Sequence, residues 1–83
     1  MSAASRDGDG RIAEVLRGLA RDRAEGATFC PSEAARRLDA DWRPLMDDVR
    51  RVARDIGLCA TQGGRPVDPV KARGPIRLSR AAG

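Results

Sequence analysis

Residues 30–57, CPSEAARRLDADWRPLMDDVRRVARDIG, read as two helices joined by a short turn. Pro31 opens the first, because a residue without an N–H fits a helix's first turn, where that donor would have no partner. Glu33 in the same turn sets a carboxylate against the positive end of the helix dipole. Ala34, Ala35 and Leu38 give this helix a small inner face that permits close packing. Asp39-Ala40-Asp41 is a brief link, with Asp41 as the expected N-cap of the next helix. Pro44 again falls in a first turn, and Gly57 after Ile56 supplies a C-terminal stop. The second of these helices is expected over about residues 42–56.

Its faces separate cleanly. At 3.6 residues per turn, Arg50 and Arg54 lie within about 20° of Arg43, with Asp47 near ~40° and Arg51 near ~80°. Leu45, Met46, Val49, Val52, Ala53 and Ile56 occupy the opposite arc, with Trp42 at its edge. This is the layout of a helix-turn-helix whose second helix can lie against a nucleic acid.

On the N-terminal side, residues 1–9 have no apolar periodicity and are expected to be a disordered tail. Asp9 is a candidate N-cap for a helix over about residues 10–25, in which Ile12, Val15, Leu16 and Leu19 recur at helical spacing. Arg23 extends that stripe with its aliphatic stem, and Gly26 is the expected stop. Ala27-Thr28-Phe29 is long enough only for a stub strand.

Beyond Gly57 the periodicity changes to two. Residues 58–62 and 75–80 read as strands, joined by the Gly- and Pro-rich connection GGRPVDPVKARG. The expected fold is α+β and mainly helical: a winged helix-turn-helix of three helices, a small antiparallel β-hairpin wing and a stub strand. One domain covers residues 10–80, and 81–83 form a C-terminal tail.

Composition bounds the function. Eighty-three residues make one small domain, and Phe29 and Trp42 are the only aromatics. No apolar run is long enough to span a membrane, and the N-terminus MSAASRDGDG has no apolar signal segment, so a cytoplasmic protein is expected. Without histidine, and with only Cys30 and Cys59, the chain cannot build a closed four-ligand zinc site from Cys and His. The two cysteines are expected to be free thiols buried as small apolar groups.

The net charge of +4 is unevenly spread. Residues 1–41 carry seven Arg against eight Asp and Glu, whereas 42–83 carry eight Arg and Lys71 against four Asp. Positive charge is thus gathered in the second half, where it can attract a polyanion.

The sites follow from this placement. Arg43, Arg50, Arg51 and Arg54 are the candidate groove contacts, since a guanidinium fork suits both phosphates and base edges. Arg65, Lys71 and Arg73 are expected near the tip of the wing, holding the nucleic-acid backbone, with Arg77 and Arg80 on the last strand. Binding of this kind is phosphate-led: the helix has no Asn, Gln, Ser or Thr for mixed base readout. No further helix is left over to build a dimer for two half-sites, which counts against a sequence-specific reader; a monomer is expected, or a weak homodimer paired through an exposed strand edge or the apolar part of the first helix.

Other readings of the same residues are blander. Charges on the wet side of an amphipathic helix are ordinary, and Asp47 stands three or four residues from several arginines, close enough to pair. Trp42 reads as core, and Asp47, Asp48 and Asp55 as solubilising charges. Gly63-Gly64 is a turn and not a phosphate loop, since no helix follows it. No serine or cysteine has a histidine to activate it, and neither an enzyme nor a cofactor is indicated. A protein-interaction module that does not bind DNA is the main alternative, and a thiol switch using Cys30 and Cys59 is a third.

Four blocks carry a resemblance: CPSEAAR (30–36), WRPLMDDVRRVA (42–53), TQGGRPVDP (61–69) and GPIRL (74–78). Together they resemble a small bacterial family classed only as a domain of unknown function, over about residues 11–80. The resemblance implies a winged-helix-like fold and a stand-alone cytoplasmic protein, and no activity, cofactor or partner. In such a fold Trp42, Arg43, Arg50 and residues 74–77 would lie near one another.

Overall fold

The described residues form seven elements, which keep the expected order of three helices before the strands and add a 3-10 turn and one further strand. The computed structural model describes residues 3–23 and 27–80, with side chains described from residue 8. They are α1 (Ala3–Asp22), α2 (Pro31–Leu38), a 3-10 turn (Arg43–Leu45), α3 (Met46–Asp55), β1 (Cys59–Gln62), β2 (Arg65–Pro66) and β3 (Arg77–Ser79). The three helices pack against one another, and a three-stranded antiparallel sheet in the order β2-β1-β3 completes a small α+β fold.

The core forms where the helical stripes meet the inward face of the sheet. Ile12, Leu16 and Leu19 of α1, Ala34 and Ala35 of α2, Val49, Val52 and Ala53 of α3, and Ala60, Ile76 and Leu78 from the sheet region are all buried. Phe29, fully buried, sits at the junction. Its N–H donates to the Leu78 carbonyl at 2.8 Å and its carbonyl accepts from Leu78 at 2.7 Å. The expected stub strand is therefore a one-residue bridge that binds β3 to the start of α2. Alanine at 34 and 35 leaves room for α1 and α3 to approach α2 closely.

The ends of the elements differ from expectation in instructive ways. α1 begins at Ala3, so the expected tail is helical from its third residue, and Asp9 lies inside the helix instead of capping it. Asp9 is drawn into the domain by Arg51, whose guanidinium donates to both carboxylate oxygens at 3.0 and 2.8 Å. The helix ends at Asp22; the expected stop at Gly26 lies outside the described residues, as does the tail at 81–83. Asp41 caps nothing: its own N–H donates to the Asp39 side chain at 2.9 Å, and the chain enters a 3-10 turn before α3. Proline at 44 suits that entry, since it has no N–H to donate. At the other end Gly57 adopts φ 81°, and Gly57 N–H and Leu58 N–H donate to the Arg54 and Ala53 carbonyls at 3.1 and 3.0 Å. That pair of bonds is a Schellman closure.

The connection between the two expected strands contains a third. Gly63 and Gly64 take φ 59° and 81°, the double positive φ of a type I′ two-residue turn, and β2 folds back on β1 with Gln62 opposite Arg65. The chain then crosses to the far side of β1, where β3 pairs through Ala60 opposite Leu78. Pro66 leaves one donor fewer on the exposed edge.

Candidate nucleic-acid interface

Each expected site residue has a definite place, and most of the α3 arginines hold partners within the domain. Arg50 reaches the connection between β2 and β3. Its Nη1 donates to the Ala72 carbonyl at 2.8 Å, with a longer 3.5 Å contact to Pro69, and its Nη2 donates to the Gly74 carbonyl at 2.7 Å. Arg51 pairs with Asp9 and also with Asp48 at 3.2 Å, while Asp55 lies 3.8 Å away. Surrounded by carboxylates, its guanidinium is held protonated more firmly than usual. Arg54 is 3.9 Å from Asp68, close to the limit of an ion pair. Arg43 lies over the Trp42 ring, 4.6 Å from its centroid. The four do not form one open set of guanidiniums.

The sheet and its connection are different. Arg65, Lys71 and Arg73 are exposed, and none pairs with a carboxylate among the described residues. Arg65 stands opposite Gln62 across the hairpin, and the Gln62 amide donates to the Arg73 carbonyl and, at 3.2 Å, to that of Pro75. One glutamine thus holds the backbone of Arg73 at the end of the sheet where Arg65 lies. Arg77 leaves β3 toward the segment before α2 instead: its Nε donates to the Thr28 hydroxyl and its Nη2 to the Thr28 carbonyl, both at 3.0 Å.

The connection itself is a closed turn. Asp68 accepts from the N–H groups of Val70 at 2.8 Å and Lys71 at 3.3 Å, and Ala72 N–H donates to the Asp68 carbonyl at 2.9 Å. Those amides, with Arg54 and Lys71 nearby, hold the Asp68 carboxyl below its ordinary range. Pro69 is buried beneath the turn, while Val70 at 43 % exposure is the one exposed large apolar side chain among the described residues.

Charge follows the same division. Residues 31–56, which hold α2 and α3, carry six arginines against six carboxylates and are neutral. Residues 57–80 carry four arginines and Lys71 against Asp68 alone, an excess of four positive charges. The field favouring a polyanion therefore arises from the sheet and its connection, not from the helix pair.

Several residues outside the expected set shape this surface. Arg36 of α2 lies 4.8 Å from the Trp42 centroid, so the half-buried indole has two guanidiniums against it. Trp42 does pack on the core, as its place beside Leu45 and Met46 suggests. Gln62 and Thr28 bear no mark in sequence, because each acts through a partner at least eleven positions away, and Asp9, marked only as an N-cap, instead holds Arg51.

The cysteines are free, but they are not both buried: Cys59 is exposed on β1, and half-buried Cys30 accepts from the Ser32 hydroxyl at 3.1 Å. Cys59 stands outward because it alternates with buried Ala60 on a sheet with one covered face. Among the described residues no His, Cys, Asp or Glu groups converge as a metal site, and no helix is long and apolar enough to cross a membrane.

Fold and surface together define a small α+β domain with a neutral helical half and a basic sheet. The chain belongs to the DUF3253 family, described as proteins of unknown function, whose model matches residues 9–81. No curated protein matches it.

Proposed function

We propose that this domain binds nucleic acid through the phosphate backbone, with the wing formed by β1, β2 and the 67–75 connection as the contact surface. In this reading the fold is a winged helix-turn-helix in which α3 serves as platform more than as reader. The observation that carries it is the charge division: five cations against one carboxylate over residues 57–80, with Asp68 already occupied by two backbone amides and Arg54. Arg65, Lys71 and Arg73 contact phosphates, with Arg80 adding to the field. Arg50 and Arg51 contribute by holding the connection and α1 in place, and Arg43 and Arg54 flank the contact.

Binding of this kind is sequence-tolerant and strongly salt-dependent, because each phosphate neutralised releases a condensed counterion. The test is fluorescence anisotropy with a mixed-sequence duplex across a salt series, for the wild type and Lys71→Glu/Arg73→Glu. Binding that weakens steeply with salt and is lost in the variant supports the proposal. A chain that binds no duplex at low salt refutes it and favours the protein-interaction alternative, to which the neutral surface of α2 and α3 is suited.

A further inference from the structure

We infer that Arg50 is a positioning residue for that contact, acting through Lys71 and Arg73 instead of touching phosphate itself; this rests on the wing reading above. Four consecutive carbonyls, those of Ala72, Arg73, Gly74 and Pro75, are each taken by a side-chain donor from within the domain. Arg50 takes Ala72 and Gly74, and Gln62 takes Arg73 and Pro75.

A carbonyl oxygen carries partial negative charge, and beside a phosphate it would oppose binding. The two side chains draw all four oxygens onto α3 and β1, while Lys71 and Arg73 stay exposed on the same short segment. Holding the segment before the ligand arrives also lowers the ordering cost of binding. An α3 arginine that the helical projection places on the expected groove face is thereby committed to the protein's own backbone.

Arginine is needed there for its shape. Its planar fork reaches carbonyls two residues apart with separate nitrogens, which the point charge of a lysine cannot reproduce. Arg50→Lys therefore keeps the charge and removes the clamp.

The experiment is duplex binding across a salt series for the wild type, Arg50→Lys, Lys71→Gln/Arg73→Gln and the triple variant. Each phosphate contact contributes about 0.9 to the slope of log K against log salt. The inference predicts that Arg50→Lys lowers the slope by about 1.8, as the double variant does, and that the triple variant is no worse than the double. Hydrogen exchange at 70–74 should quicken in Arg50→Lys, and Gln62→Leu, which cuts the clamp from β1, should reproduce the slope loss if Arg50→Lys folds poorly. An unchanged slope with unchanged exchange in Arg50→Lys, or losses that simply add in the triple variant, overturns the inference while leaving the wing reading intact. A wild type with no salt-dependent binding overturns the wing reading itself.

Discussion

Arg51 and Asp9 stand 42 positions apart in the sequence and meet through two parallel hydrogen bonds, at 3.0 and 2.8 Å. The pair ties the N-terminal part of α1 to α3, and Asp48 and Asp55 complete a carboxylate ring around the guanidinium. Arg51 is thus part of the scaffold, and its removal should be felt in stability before it is felt in binding.

The Asp9 carboxyl is held below the ordinary carboxylate range, first by the hydrogen bonds from Arg51 and then by that residue's charge. A carboxyl whose folded pKa is depressed adds stability above the unfolded value and loses it as pH falls through the folded one. Urea midpoints of wild type and Asp9→Asn should therefore differ by a constant amount near neutral pH and converge below about pH 4. A difference that persists undiminished at pH 2 would exclude the ion pair as its source.

Phe29 fills the junction between helices and sheet with no exposed surface. Phe29→Ala should cost about 3–5 kcal/mol, a large share of the stability of a domain this small. Circular dichroism during urea denaturation checks it, and a loss under ~1 kcal/mol would mean that the junction collapses around the gap.

Gly57 has open space where a Cβ would sit, yet its φ of 81° belongs to the left-handed region. Gly57→Ala should destabilise by about 1–2 kcal/mol from backbone strain alone, and Gly57→Asn by less. Equal effects from the two would contradict a conformational origin.

Cys59 is exposed and Cys30 half-buried beside the Ser32 hydroxyl. In native protein a thiol reagent should modify Cys59 first and Cys30 more slowly, with both rates equal after unfolding. Coincident native rates would contradict this placement. Two unreactive native thiols would remove the thiol-switch reading.

Much of the fold is legible because its punctuation is local. Pro31, Gly57 and the Gly63-Gly64 pair act through their own backbone conformations, and the apolar stripes of α1 and α3 act through periodicity. The N-terminal boundary is not legible, since Asp9 responds to Arg51 across the whole helical unit. Nor is β2, two residues long and containing Pro66, with no period to detect. The division of labour among the arginines is hidden for a further reason. A wet-face arginine reads alike whether it meets solvent or a carbonyl, and the carbonyls taken by Arg50 belong to a connection whose path no side-chain pattern records.

In the proposed function the basic sheet, not the helix pair, meets the polyanion. The most direct test is duplex affinity at two salt concentrations for Arg65→Glu/Lys71→Glu/Arg73→Glu beside Arg43→Glu/Arg54→Glu, with folding of both checked by thermal melts. The wing variant should lose salt-sensitive binding almost completely while the helix variant keeps most of it. Binding lost in the helix variant and retained in the wing variant would contradict it.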